Sequence, residues 1–473
     1  MCSISEPYQY LDLQQGVAIV GGGLVGSLLA ICLRKHRFAT YVFESRPDPR
    51  VQELEIDKGK SMNLTLTSRG LVALASISKD LISKVMTITT PVRGKTVHLP
   101  QSGKQEYIPF GPDKTYCYFS VSRLDLQRVL IDEAQAAGAK FFFNHRLKHV
   151  EILEKSMTFQ HSASLVSVGG AKHIFGADGI RSRCRYALRE FLGQKEPCIT
   201  QLRHGYKQLT IPSPAAASLT PRKSLHIWPG DDHFIISFPS RDGSHLATLF
   251  LPTSTPSDLE PSDFFNRCYA DALKFMPYAL EEYHCSSLGT LSTVVTEQWA
   301  YKDHLVLLGD AAHAMLPFYG QGCNCGFGDV QVLHKLLREV GVEDMETVFA
   351  TYSELCKLEA DSISIITLDE YETLINRPTD IQVLQKEIAT QITQRYSCYV
   401  SSYQLVTQSL VPYSICLHAQ WLQQGMLAKV SRGISTSSEV DYNQVEKWIA
   451  CVWLPFLEDN RINPEQFHHG WTT

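Results

Sequence analysis

Gly21, Gly23 and Gly26 space out as GxGxxG directly after the short β-branched run Val17 to Val20. From Leu24 to Leu33 apolar residues recur at helical spacing, and a second strand, Tyr41 to Phe43, ends at Glu44, 18 residues beyond Gly26. Strand, glycine turn, helix, strand and terminal acid together mark a dinucleotide-binding unit, which commits the N-terminal part of the chain to a parallel α/β sheet. The glycines permit a tight turn, a close approach of backbone to a pyrophosphate, and close packing of helix on strand. The positive helix end then faces the phosphates, and Glu44 accepts from a ribose hydroxyl. Gly21, Gly23, Leu24, Val25 and Gly26 are therefore expected against the cofactor. A ligand-free glycine-rich turn is the weaker reading, because strand, helix and acid all stand in place.

Beyond this unit the chain turns strand-like and Pro/Gly-punctuated from about Thr90 to Gly111, and a helix is predicted over Arg123 to Ala137. Phe141 to Phe143, Leu165 to Val168 and His173 to Gly176 read as strands feeding back to the first unit. From Thr200 to Pro252, Ser224 to Trp228, Phe234 to Phe238 and Leu246 to Leu251 predict a mostly antiparallel sheet with one solvated face. Strand, turn and helix return from Val306. From Thr347 onward the chain reads as helical. No internal repeat or low-complexity tract is visible.

The 473 residues suffice for two or three structural units, and 44% apolar with 20% charged residues is a globular balance. A net charge of −5 excludes a broad cationic field for nucleic acid. Thirteen cysteines, an odd number, and an N-terminus lacking a basic and an apolar leader region predict a reducing, intracellular and cytoplasmic location. Trp448 to Phe456 (WIACVWLPF) is far shorter than the roughly 20 residues of a spanning helix. No membrane span is expected, and only an amphipathic surface contact is left open there.

Two further segments separate FAD from NAD. Phe175 to Ser182 (FGADGIRS) closes a strand with an acidic turn at Asp178; alone it is a common structural Asp-Gly turn. Leu305 to Gly328 (LVLLGDAAHAMLPFYGQGCNCGFG) is an apolar strand, an acid at Asp310, and a Pro/Gly loop opening a helix near Gly322. Asp310 suits a ribityl hydroxyl, and amides at the new helix start suit negative charge on a reduced isoalloxazine. FAD is the better assignment, and noncovalent, since no residue is identified to link it. The fold expected is α/β, with a Rossmann-like FAD-binding domain, an inserted, mostly antiparallel sheet substrate domain and a helical C-terminal region. The boundaries expected are 15–90, 115–195 and 300–340 for the first, 91–114 and 196–299 for the second, and 341–473 for the third.

VAIVGGGLVGSLLA, SMNLTLTSRG, SVSRLDLQRVL, FNHRL, HGYKQLTI, LHIWP and GDAAHAMLPFYGQGCN carry a resemblance to the class A FAD-dependent aromatic hydroxylases, and within them to the kynurenine-hydroxylating branch. It runs from about residue 17 to about 330 and more weakly to Tyr403. The flavin motifs are superfamily-wide; HGYKQLTI and LHIWP are much narrower. The resemblance implies bound FAD, NADPH as a transient cosubstrate, and transfer of one atom of O2 to an electron-rich ring. Carried over, Glu44 and Arg46 would lie by the adenosine ribose, Arg123 and Leu147 by the FAD, Asp178 at the cofactor, Asp310 at the ribityl chain, and Cys323 and Asn324 at the isoalloxazine edge. Pro317, Phe318 and Gly320 to Gly322 would form the catalytic loop over the flavin. No metal is needed.

The substrate end departs from that branch. A PMRAR-like stretch reads PVRGK here, which places Lys95 where an arginine would hold a carboxylate; lysine keeps charge but loses the bidentate fork. IPYG becomes IPFG, so Phe110 replaces a phenol donor. By a looser alignment, NYxEM becomes Glu370 to Leu374, an acid for an amide. Tyr403 is retained. Cys323 and Cys325 as a metal or redox pair, His313 as a base and Trp228 as a substrate contact are each outweighed by packing roles. The implied reaction is L-kynurenine to 3-hydroxykynurenine, or hydroxylation of a close ortho-amino aryl relative. The alternatives are a tailoring hydroxylase of the same scaffold in secondary metabolism and a flavin-binding protein without turnover. Eukaryotic members carry a C-terminal anchor at the mitochondrial outer membrane; with only WIACVWLPF near the end, that location is disfavoured.

Overall fold

The structure is a computed structural model that describes residues 9–51, 63–99, 103–111, 113, 115–194, 198–255, 260–376, 379–464 and 467. Residues 1–8 and most of the last nine residues of the chain lie outside these. Val17–Val20 is buried along its whole length, as expected of a parallel strand covered on both faces. It lies inside a six-stranded sheet ordered Ala300–Tyr301, Leu305–Leu307, Ile174–Gly176, Val17–Val20, Thr40–Phe43, Lys140–Phe142. All its neighbours are parallel except the first pair. The segments at 141–143 and 173–176 thus return to the glycine unit as the sequence predicts.

Leu165 to Val168 does not. It belongs to a separate four-stranded sheet, where Ser164–Gly169 pairs parallel with Gln9–Asp12 and antiparallel with Ser156–His161. The reason is periodicity. Across Arg146–Glu151 and Ser156–His161 the buried residues Leu147, Val150, Met157 and Phe159 alternate with exposed or half-exposed ones, the pattern of an antiparallel meander with one apolar face. A strand buried on one face only gains nothing by entering a sheet covered on two.

The second large sheet has seven strands, ordered Gly289–Val295, Cys198–Ile211, His245–Pro252, Phe234–Pro239, Leu225–Pro229, Gly94–His98, Gln105–Pro109. Its pairs are antiparallel apart from the parallel contact of Leu225–Pro229 with Gly94–His98. The expectation of one solvated face is corrected, since both faces are covered over its central strands. Ile235, Ala247 and Leu249 pack against Phe264, Phe265 and Tyr283, from helices Pro261–Cys268 and Ala279–Cys285. Their chain neighbours Phe234 and Phe250 point the other way, onto Leu316 and Tyr371. Apolar residues in both phases of one strand were the available signal. Trp228 lies in the helix-side core.

The tail from Met345 is helical, opening with Met345–Ile375, whose N-cap Asp344 accepts from the Thr347 amide. Capping boxes at Thr379/Gln382 and Ser401/Gln404 start Asp380–Arg395 and Ser402–Gln408, and Tyr413–Val430 follows. The WIACVWLPF segment, left open as a surface contact, is two-faced, with Ala450, Cys451, Leu454 and Pro455 exposed. Ile449, Trp453, Phe456 and Leu457 are buried, Trp453 stacks on Trp448 at 5.7 Å, and its indole N–H donates to the Cys398 carbonyl. Among the described residues no helix is long and apolar enough to cross a membrane.

Candidate active site

One cavity of about 910 Å³ runs from the glycine turn, past the ends of the parallel strands, to the face of the antiparallel sheet. That is the upper end of the roughly 300–1,000 Å³ of ligand sites, in the crevice where open α/β sheets bind ligands. At the turn, Gly21 has φ +105° and a Cβ there would lie 2.2 Å from the Ala177 carbonyl oxygen. A Cβ on Gly26 would lie 1.9 Å from the Gly21 oxygen, so this helix seats on its strand only through glycine. At Gly23 the nearest atom to an added Cβ is an Arg46 nitrogen 4.0 Å away: the backbone opens onto the cavity. Gly23 caps Leu24–Lys35 without a side-chain bond or a first-turn acid, so the first-turn amides remain available to an anion. Leu24 and Val25 line the same wall.

Glu44 is buried at the end of Thr40–Phe43 and accepts from the Gly22 amide at 2.8 Å and from Arg46 Nε at 2.8 Å. Burial raises its pKa, but the Arg46 bonds and charge outweigh this and hold the carboxyl below its ordinary value. Glu44 and Arg46 both border the cavity. Arg123, at the start of Arg123–Ala136, and the buried Leu147 face it too. Asp178 lines it while capping the next helix, accepting from the Ser182 hydroxyl and the Arg183 and Cys184 amides. The structural reading of that turn therefore holds alongside its place at the cavity. Asp310 is exposed to the cavity, and no hydrogen bond ties its side chain to the described residues. An open glycine backbone, unbonded amides and a free carboxylate along one cleft fit FAD, with Glu44 beside the glycine turn.

The helix Gly322–Glu339 starts at the cavity, and Gly322 and Cys323 line it. Asn324 does not line it with its side chain. It is fully buried, its amide N–H₂ donating to the Thr65 and Gly320 carbonyls and its oxygen accepting from the Thr67 amide. It staples the loop, leaving its backbone amide as the group nearest the role expected of it. Burial pushes the Cys323 thiol up to about 12 and raises Cys325, which leaves both as inert thiols. His313 is buried 2.7 Å from Asp329, which also accepts from the Gly309 amide. Burial lowers the His313 pKa, yet the Asp329 charge prevails and holds it well above its ordinary value, a structural ion pair beneath the loop.

Pro317 and Phe318 roof the cavity in a short 3-10 turn, Pro317–Tyr319. Phe318 lies 5.3 Å from Phe250 and stacks on Tyr371 at 5.6 Å. Behind the loop, the Tyr413 hydroxyl donates to Gln321, whose amide donates to the Tyr319 carbonyl. The helical tail thus braces the loop from outside.

At the substrate end Tyr403 lines the cavity, while Lys95, Phe110 and Glu370 stand behind the wall. Phe110 is buried 4.7 Å from Tyr118 and 5.9 Å from Tyr403. The Lys95 ammonium sits 5.4 Å above the Tyr403 ring. Burial lowers Lys95 and raises Glu370, each shift opposed by the other's charge. Sequence reasoning missed Tyr118, Leu225, Ile236, Phe238 and Phe250, which form the apolar wall. Their signal was the same two-phase apolar pattern of the antiparallel strands.

The sheet order, the glycine turn and the long cavity define a flavin-binding oxidoreductase. A family described as the FAD binding domain matches residues 14–364. The kynurenine 3-monooxygenase of Myxococcus xanthus is 33% identical over 465 residues, covering 94% of this chain and 97% of that protein. That of Legionella pneumophila (strain Corby) is 32% identical over 446 residues, covering 92% and 97%. Among solved structures, 2-methyl-3-hydroxypyridine-5-carboxylic acid oxygenase superposes with TM-score 0.61 at 17% identity, covering 77% of this chain and 91% of that one. PqsL of Pseudomonas aeruginosa superposes with TM-score 0.58 at 16% identity, covering 77% and 97%. The chain belongs to the FAD binding domain family of class A flavoprotein monooxygenases.

Proposed function

We propose that this monooxygenase uses NADPH and O2 to convert L-kynurenine to 3-hydroxykynurenine, or hydroxylates a close ortho-amino aryl relative. The observation that carries the reading is the continuity of one cavity from the open backbone of Gly23 to an aromatic-walled chamber at Tyr403, beneath Pro317 and Phe318. Relatives of that name, about a third identical over nearly the whole chain, support the substrate. A bound FAD would supply the redox chemistry, with NADPH as reductant, one atom of O2 going to the ring and the other leaving as water. The chain supplies the rest. Gly23, Leu24 and Val25 hold the pyrophosphate, Glu44 and Arg46 the adenosine ribose, Arg123, Leu147 and Asp178 the cofactor's flank, and Asp310 the ribityl chain. Backbone amides from Gly322 to Asn324 face negative charge developing at the isoalloxazine edge. Pro317, Phe318 and Gly322 form the catalytic loop, shutting water from the place where ring and oxygen meet. NADPH, with no second GxGxxG in the chain, binds transiently over the flavin.

Kynurenine-stimulated NADPH oxidation with 3-hydroxykynurenine as product tests the reading; its absence at saturating kynurenine overturns the substrate. A second reading, the same chemistry on a different aromatic metabolite, rests on Lys95, Phe110 and Glu370 standing outside the wall that a substrate would touch. NADPH oxidation stimulated by another aryl compound of a panel, and not by kynurenine, favours it.

A further inference from the structure

The helix that begins at Gly23 and the helix that begins at Gly322 meet again far from the cavity. There Cys32 and His36, one turn apart at the end of the first, face His334 of the second. Cys32 Sγ lies 3.7 Å and His36 Nε2 2.9 Å from the same atom, His334 Nδ1. The three donor atoms all fall within 4.8 Å of one another. Around a tetrahedral zinc, with bonds of about 2.3 Å to sulfur and 2.0–2.1 Å to nitrogen, the edges are about 3.6 Å for S to N and about 3.3 Å for N to N. The Cys32–His334 edge is already there, the His36–His334 edge needs an opening of about 0.4 Å, and the Cys32–His36 pair lies within 4.8 Å.

A hydrogen bond between the two rings accounts for one of these approaches and leaves the thiol aimed at a nitrogen already engaged. A cation satisfies all three. We propose that Cys32, His36 and His334 form a site for a thiophilic divalent cation of the zinc class, which clips together the two helices whose other ends hold the pyrophosphate turn and the isoalloxazine edge. Thiolate and imidazole together select zinc over magnesium or calcium. Cys32 is buried, while both imidazoles are half-exposed, so the ion has an entry path and a fourth position open to water.

The side chains of Arg338 and Lys35 lie near the two imidazoles. These cations oppose a second positive charge, but Lys35 is held by the Ile77 carbonyl and Arg338 is exposed. On binding, the Cys32 proton leaves to solvent and the thiolate offsets one unit of the metal's charge.

The test uses untagged holoenzyme, stripped by chelator and equilibrated with zinc alone, with zinc per chain measured by atomic emission. One zinc per chain at micromolar free metal is expected, with at least a tenfold loss of affinity in Cys32→Ser, His36→Gln and His334→Gln. His334→Cys, which keeps a ligand, should retain zinc. Flavin content and metal-free melting temperature equal to wild type show that a variant is folded. Should the buried Cys32→Ser fail that check, the half-exposed His334→Gln decides. Cobalt should give tetrahedral bands to the red of the flavin, absent in His334→Gln. Zinc should also slow FAD release from wild type but not from His334→Gln. No zinc bound by wild type, or undiminished zinc in a folded His334→Gln, overturns the proposal.

Discussion

The two ends of the cavity are built on different principles. At the cofactor end the contacts come from backbone: an open glycine, unbonded amides at two helix starts, and a few acids at strand ends. At the substrate end they come from side chains scattered over several strands and the helical tail, with the half-buried Lys95 beside the Tyr403 ring. A site resting largely on backbone is altered most by breaking its glycines. A site made of side chains can be rewritten residue by residue while the fold stays. If the contrast holds, damage at the first end removes the flavin, whereas damage at the second changes only what is hydroxylated.

The largest effect is expected from Gly26→Val. A branched side chain has no space 1.9 Å from the Gly21 oxygen, so the helix must leave its strand and the purified protein should be colourless. Flavin absorbance per chain measures this, and full flavin content would mean that the dinucleotide turn is misplaced. Next is Asp310→Ala, which removes an acceptor open to the cavity. A charge-assisted hydrogen bond is worth about 1.5–3 kcal/mol, so FAD affinity should fall between about tenfold and 150-fold in a fluorescence titration.

At the substrate end Lys95 stands behind Tyr403; if substrate binding turns that ring aside so that the ammonium meets the carboxylate, Lys95→Ala costs about 1.5–3 kcal/mol in kcat/KM for kynurenine, carried by KM and with flavin content unchanged. A change below about twofold, well under the worth of one charged contact, would mean the carboxylate is bound elsewhere. Lys95→Arg with Phe110→Tyr should leave kynurenine turnover equal or better. Product from this double variant alone would make the two positions specificity determinants and favour the second reading.

The smallest effect concerns pH. The folded pKa of Glu44 is held below its ordinary value, so its stabilisation is complete above about pH 4.3 and is lost as pH falls through the folded value. Arg46→Met should shrink this acid-side loss, and because Arg46 is 54% exposed the change should stay below about 1 kcal/mol in acid unfolding curves.

The parallel sheet was legible because each strand is a short apolar run met by a turn, and the glycine spacing declared where the first helix seats. The helical tail was legible too. Leu165 to Val168 was misplaced because pairing partners are a tertiary choice and its alternation was set aside in favour of its apolar content. The wall of Ile236, Phe238 and Phe250 escaped because a residue facing a cavity and one facing a core read alike in sequence. Asn324 was assigned to the flavin by its neighbours in the motif, yet its amide is spent on three bonds, to Gly320 in the loop and to Thr65 and Thr67 beside it. Lys95 and Tyr403 lie together, the ammonium 5.4 Å from the ring centre, but sequence could not tell which of them reaches the chamber.

The sheet covered on both faces has a consequence for how this molecule can change its substrate. Phe234 and Ile235, or Leu249 and Phe250, are chain neighbours serving opposite sides, so a backbone shift that widened the chamber would open a void or a clash against the outer helices. Room for a larger ring has to come from trimming side chains on the inner face alone. Substrate preference in this architecture then drifts in steps of single methylenes, about 0.8 kcal/mol each, with the strands themselves as a fixed gauge.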